Sequence, residues 1–310
     1  MVPAFITTLL WSYCVIAARR SVDQLGENVA NLARILLALL TLGIMAHLLG
    51  AGFGGGGFFY FFLSGVVGFG LGDIGVFYAL PRLGSRLTLL MAQCVAAPIA
   101  GITEWIWMGT TISRLQVMAI GVVLLGITIA LAPKKMPAAS LPVFIAGIAF
   151  GFLAAFGQGL GAVLSRKAYA LANTAGNWAG EQTVSESIWM GATTGYQRLI
   201  GGALVILGFY LLSFVIRSWR SLPRSGHAGD PLSSKVSFVF LNAAAGPILG
   251  IICFQWALAT TPSAIVQPII AMTPLAVMPM AWFLEGDRPD RRAVTGSLIS
   301  VGGVILLAFA

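Results

Sequence analysis

Apolar runs of about twenty residues, separated by short charge clusters or by Gly and Pro, recur along the whole chain. Cutting at those breaks predicts ten spans, at about 2–18, 30–49, 58–80, 86–104, 115–132, 142–164, 196–216, 236–258, 262–284 and 292–309. In lipid only helices and closed barrels satisfy their backbone groups. Runs of this length lack the ten-residue alternation of a barrel strand. The pattern therefore predicts an all-α polytopic membrane protein. Its polar interruptions are the turn Gly54 to Gly57, the linker Ala132 to Pro137, and two longer loops at about 167–195 and 217–235.

Composition supports this reading. Of 310 residues, 58% are hydrophobic and only 9% charged, with a mean hydropathy of +0.92. No single water-soluble core hides that much apolar surface. The net charge of +8 does not point to nucleic acid, because the basic residues lie between apolar runs, where topology places them. Cys14, Cys94 and Cys253 sit far apart in apolar segments, without metal-ligand or redox spacing, and read as ordinary buried residues. The first run has no basic leader and no cleavage site, so it reads as the first span.

The same punctuation occurs twice. Gly68, Gly72 and Ala79-Leu80 correspond to Gly246, Gly250 and Ala257-Leu258 at an offset of 178. Pro98 corresponds to Pro274 at 176, and Gly109, Ala119 and Gly126 to Gly286, Gly296 and Gly303 at 177. Arg34 and Arg198 each open the second span of a half. The expectation is two five-helix repeats, 1–135 and 136–310, with an insertion at about 170–190 in the second. An odd number of spans per copy makes their topologies inverted. Odd-numbered loops carry 13 Lys and Arg against 3 in even loops, which favours odd loops in the cytoplasm and both termini outside.

With Gly72-Asp73 through Tyr78-Ala79-Leu80, Arg82-Leu83-Gly84, Pro98, Pro274 and the turn Gly286-Asp287-Arg288-Pro289 leading to Gly296 and Gly303, the chain resembles the EamA-type ten-span carriers of the drug/metabolite transporter superfamily. Gly109-Thr110 departs from that pattern where the family has Gly-Glu, and Ala119 replaces a glycine. The resemblance implies a secondary transporter of the bacterial plasma (inner) membrane, exporting or exchanging amino acids or other small metabolites by alternating access. Many members are drawn with cytoplasmic termini, against the charge count. A flippase of lipid-linked substrate on the same fold is the alternative. Membrane lipid and a small-molecule substrate are the implied partners, with protons as a further one and either a monomer or a homodimer as the assembly.

Chemistry concentrates on few positions. Asp73 is the one acid well inside a span. A charge at that depth faces a cavity, pairs with a partner, or is neutralised. It reads either as a proton-coupling residue or as a pin for the helix break after Gly72. The amides Gln93, Gln158, Gln255 and Gln267 bind substrate or hold helix to helix. Tyr78, Trp11 and Trp256 line a pocket or pack within spans, while Trp105, Trp107, Trp178, Trp189 and Trp219 form interfacial belts. Arg34 and Arg198 are expected to snorkel to the interface or to pair with carbonyls, with anion binding as the alternative for either. Pro98, Pro268, Pro274 and Pro279 each remove a backbone donor, which makes spans four and nine the expected pocket helices. Gly68-Phe-Gly70-Leu-Gly72 and Gly157-Gln-Gly159-Leu-Gly161 follow no strand and read as close helix packing. No phosphate loop, metal motif or paired carboxylates occur, so neither a cofactor, a metal nor an enzyme is expected.

Overall fold

A computed structural model describes residues 1–25, 27–132, 140–178, 182–220, 232–285 and 290–310. Among the described residues there is no strand. The linker 133–137, the turn Gly286 to Pro289 and most of the 217–235 loop lie outside them. The helices are α1 (Val2–Leu25), α2 (Glu27–Leu49), α3 (Phe58–Gly65), α4 (Asp73–Leu90), α5 (Ala96–Met108), α6 (Arg114–Leu131), α7 (Leu141–Thr174), α8 (Val184–Arg220), α9 (Leu232–Ala243), α10 (Leu249–Thr260), α11 (Ser263–Ile270), α12 (Thr273–Glu285) and α13 (Arg291–Ala308). Three π-helical stretches join some of them directly: Val66–Gly72, Met91–Val95 and Ala244–Ile248. Among the described residues, eight helical segments are long and apolar enough to cross a membrane, and Val2–Ala18 and Ser263–Pro279 are shorter apolar helices. Together they occupy the ten expected runs.

The direction of each span follows from what it touches along the 34-residue α7. Gly161, Gly157 and Gly147 of α7 meet Gly68, Gly72 and Leu83, so the third span runs against α7. Gly151 and Gly159 meet Met91 and Ala96, so the fourth runs with it. The chain therefore reverses between Leu83 and Met91. Alternating the remaining spans in the same way puts both termini at one end of the bundle, the terminal end. The odd-numbered connections, with Arg20 and Arg82, gather at the other, basic end.

In lipid, helices gain little from burying apolar side chains against each other, and small residues that let backbones approach take over. The expected glycines do this. A Cβ on Gly157 would stand 2.6 Å from Gly72 Cα, so α7 crosses the third span glycine on glycine. Helices α6 and α13 pack through the paired small residues: a Cβ on Gly126 would lie 2.5 Å from Ser300 N, and one on Gly303 2.7 Å from Val123 N. Both helices open on a capping side chain. Ser113 accepts from Gln116 N at 3.1 Å and Asp290 from Ala293 N at 2.8 Å. The two caps are 177 residues apart.

Two expectations are corrected. The loop at 167–195 is mostly helix, since α7 runs on to Thr174 and α8 begins at Val184. Residues 167–174 and 184–195 thus lengthen two helices, with 175–178 and 182–183 between them outside helix and 179–181 outside the described residues. Trp178 is not a belt residue either. Its indole Nε1 donates to Gly55 O at 2.8 Å, and Gln197 Nε2 donates to Gly52 O and Gly54 O at 2.9 Å each. Gly55, Gly56 and Gly57 have φ of 85°, 74° and 73°, a region costly for residues with a Cβ, and the resulting turn turns its carbonyls toward these donors.

Candidate functional site

All three π-helical stretches border one central cavity of about 150 Å³. Val66–Gly72 contributes Gly68 and Phe69, Met91–Val95 contributes Gln93, and Ala244–Ile248 contributes Gly246 and Pro247. The ninth span is broken between α11 and α12, and the residues after the break, Thr273 and Pro274, line the cavity as well. A π turn or a break withdraws backbone groups from the helix ladder, and such groups persist at membrane depth only where protein or a cavity meets them. At the break the partners are visible. Pro274 has no N–H for Ile270 O, and Thr273 Oγ1 donates to that carbonyl at 2.6 Å instead. Thr8 and Ser12 of α1 donate to Ile269 O at 3.1 Å and Thr273 O at 3.0 Å.

Asp73 lies in this cavity and is paired. Its Oδ2 accepts from Arg34 Nη2 at 2.6 Å, while Arg34 Nε donates to Asn31 Oδ1 at 2.8 Å. Arg198 lines the same cavity from α8, is 2% exposed, and stands within electrostatic reach of Asp73. Its Nη1 donates to Gln255 Oε1 at 3.3 Å, and its guanidinium carbon lies 5.3 Å and 5.1 Å from the ring centres of Phe69 and Phe254. Neither arginine snorkels. Each opens a long span far enough inside it that the nearest partner is the cavity and not the interface.

The remaining expected residues divide. Gln93, Gln158 and Trp11 line the cavity, with Trp11 seated on Gly250 and 5.3 Å from Phe254. Gln255 is buried behind Arg198 as its acceptor, and Gln267 is buried with its Nε2 on Gln158 O at 3.2 Å, tying the ninth span to the sixth. Tyr78 and Trp256 are not in the lining. Tyr78 follows Asp73 by five residues, about 140° around the helix. It packs instead with Phe150 and Phe209, beneath the Arg82 guanidinium. Trp256 is five residues from the lining residue Ile251 and is turned away by the same angle. The lining residues that sequence reasoning did not consider for the site are Phe69 and Cys14, and Arg34 and Arg198 entered there chiefly as interfacial residues. The available signal was charge balance, since an acid at membrane depth needs a partner and the basic residues inside spans are Arg34 and Arg198.

Toward the terminal end, beyond the cavity lining, a cluster joins four helices. Glu104 of α5, 1% exposed, accepts from Arg166 Nε of α7 at 3.0 Å and from both Ser263 N, at 2.7 Å, and Ser263 Oγ of α11. Arg166 also donates to Leu258 O of α10 at 2.8 Å. Toward the basic end the lining continues to Leu89 and Val277. A second cavity of about 420 Å³ opens sideways between α5 and α6, where Ile102, Trp105 and Val117 are exposed.

Comparison with known proteins adds the following. The model of the EamA-like transporter family matches residues 1–132 and 145–309. No curated protein matches the chain. Among solved structures that match, one titled "Crystal structure of protein" is 14% identical over 99% of this chain and 96% of that one, with a TM-score of 0.73, a likeness of fold.

Proposed function

Since the chain belongs to the EamA-like transporter family and is an integral membrane transporter of the drug/metabolite transporter superfamily, we propose that it exports or exchanges small metabolites, amino acids among them, by alternating access around the central cavity. The observation that carries this reading is the cavity itself, where the Arg34–Asp73 ion pair meets the irregular stretches of both halves of the chain. Two five-helix copies, 1–135 and 136–310, rock against each other. Support for the duplication comes from the recurrence of backbone irregularities at the offsets of the sequence repeat. The π stretches beginning at Val66 and Ala244 are 178 residues apart, and Val95, closing the π stretch of the fourth span, and Ala271, opening the break of the ninth, are 176 apart. In this reading the Glu104–Arg166–Ser263 cluster closes the terminal end while the cavity is reached from the basic end, and the cluster parts in the opposite state. Asp73 is the proton-coupling residue, released from Arg34 when protonated. Gln93, Gln158 and Trp11 are the contacts for cargo, and the membrane is a bacterial inner membrane.

The test is flux of a metabolite panel in proteoliposomes, with and without a pH gradient, for wild type and Asp73→Asn. Flux driven by the gradient in wild type and insensitive to it in the variant supports proton coupling. Gradient-independent flux in both removes it, and absence of flux for every compound removes the transport reading. The sideways cavity favours a second reading, a flippase whose substrate keeps its lipid tail in the bilayer. Translocation of a labelled lipid headgroup, with none of the water-soluble panel, would select it.

A further inference from the structure

The central cavity contains more positive than negative charge. Among the described residues it is lined by two guanidinium groups, Arg34 and Arg198, and one carboxylate, Asp73. Asp73 is taken by Arg34 at 2.6 Å. Arg198 has no carboxylate partner among the described residues, although it is 2% exposed and a buried charge is costly without a counter-charge.

The surroundings of Arg198 fix which of its surfaces is available. Phe69 and Phe254 lie against the guanidinium at 5.3 Å and 5.1 Å from their ring centres, within the range of cation–π attraction. Nη1 is engaged by Gln255 Oε1. The edge formed by Nε and Nη2 has no acceptor, and Nε is fully buried without a partner. Nη2 reaches its place because Gly68 and Gly161 have no side chains there: a Cβ would stand 2.6 Å from it at Gly68 and 3.1 Å at Gly161. Nη2, together with Nε once the lining moves off it, forms a planar fork oriented by rings and with the other nitrogen tied off, which matches the two oxygens of a carboxylate.

We infer that Arg198 is the carboxylate-binding residue of the central cavity, and that the cargo is a small molecule bearing a carboxylate. This rests on the transport reading above and narrows it. The carboxylate supplies the counter-charge that Arg198 lacks, so the loaded carrier moves its binding region through the occluded state with this guanidinium paired. The carboxyl group of an amino acid and that of a simple organic acid share this chemistry.

The experiment compares matched pairs. Standard amino acids and short hydroxy- and keto-acids, each beside its primary amide, are offered to proteoliposomes containing wild type, Arg198→Gln or Arg198→Lys. The variants are checked for folding by their thermal transition in detergent. Wild type is expected to carry at least one acid more than tenfold faster than its amide. Arg198→Gln should bring the ratio to about one, and Arg198→Lys should keep part of it, which a purely structural arginine would not do. The inference is overturned by an unchanged acid-to-amide ratio in folded Arg198→Gln, or by a wild type that carries amides or amines and no acid. In that last case the transport reading survives. Absence of any flux removes both. Which acids move, amino acids or simple acids, identifies the source of the carboxylate.

Discussion

Replacing Glu104 by Gln should open the terminal end. The substitution keeps the size of a side chain that is 1% exposed but removes its charge. Glu104 accepts three hydrogen bonds in the closed arrangement, one from Arg166 at 3.0 Å and two from Ser263. Hydrogen bonds to a charged group contribute about 1.5–3 kcal/mol each. Gln retains an acceptor oxygen for Ser263 but not the ion pair with Arg166, so the loss is about 3 kcal/mol. In the opposite state of the proposed cycle α5 and α11 separate and water reaches the carboxyl, so the substitution is expected to cost little there. A difference of about 3 kcal/mol shifts the balance between the two states about a hundredfold. The assay uses a chain with Cys14, Cys94 and Cys253 replaced and Gln267→Cys introduced, a position one turn deeper than Ser263 and 2% exposed. A membrane-impermeant maleimide added at the terminal end should label this cysteine many times faster in Glu104→Gln than in its parent. Labelling rates within twofold of each other would refute the assignment of the cluster as a closure.

Asp73→Asn leaves Arg34 unpaired beside Arg198 and should cost about 3 kcal/mol of stability, the lower end for a broken buried pair, because both side chains keep some exposure. Arg34→Gln with Asp73→Asn should recover part of that loss in thermal unfolding, and additive losses would show that the pair is not coupled. Gly157→Ala drives a Cβ to within 2.6 Å of Gly72 Cα and should destabilise by about 1–3 kcal/mol. Gly121→Ala meets nothing within 4 Å and should be neutral or slightly stabilising, so equal unfolding temperatures for the two would contradict the packing described. Cys14 lines the cavity, and in a chain lacking Cys94 and Cys253 a small thiol reagent from the basic end should modify it, more slowly when cargo is bound. Equal modification with and without cargo would place the binding site elsewhere.

The spans were legible because lipid imposes a length and a composition that few other constraints imitate. The close crossings were legible for a related reason, since glycines at Gly72, Gly126, Gly157 and Gly303 have little other purpose inside an apolar helix. Arg34 and Arg198 were misplaced because a basic residue near the start of an apolar run looks the same whether it turns to the interface or inward. Only the structure supplies the rotation. Tyr78 and Trp256 fall outside the lining by ordinary helical phase, five residues from Asp73 and Ile251 with no π turn between, which sequence depth alone does not resolve. Helix in place of loop at 167–195 went unread because Arg166, Lys167 and Glu186 suggested a break, whereas a helix that outruns the bilayer carries charges without penalty.

The π stretch Val66–Gly72 makes spacing itself part of the site. A π turn accommodates one residue more than an α turn between the same neighbours. Deleting a single residue there would close the wide turn to an ordinary α turn and leave the flanking segments near their present orientation, whereas the same deletion in a regular stretch would rotate one side against the other by about 100°. Phe69, which packs on Arg198, and Asp73, which holds Arg34, stand on or just after that stretch. Two chains differing only by one letter between Gly65 and Asp73 would therefore keep Asp73 facing Arg34 and differ in the wide turn itself, in the placing of Phe69 and in the backbone groups freed beside the cavity.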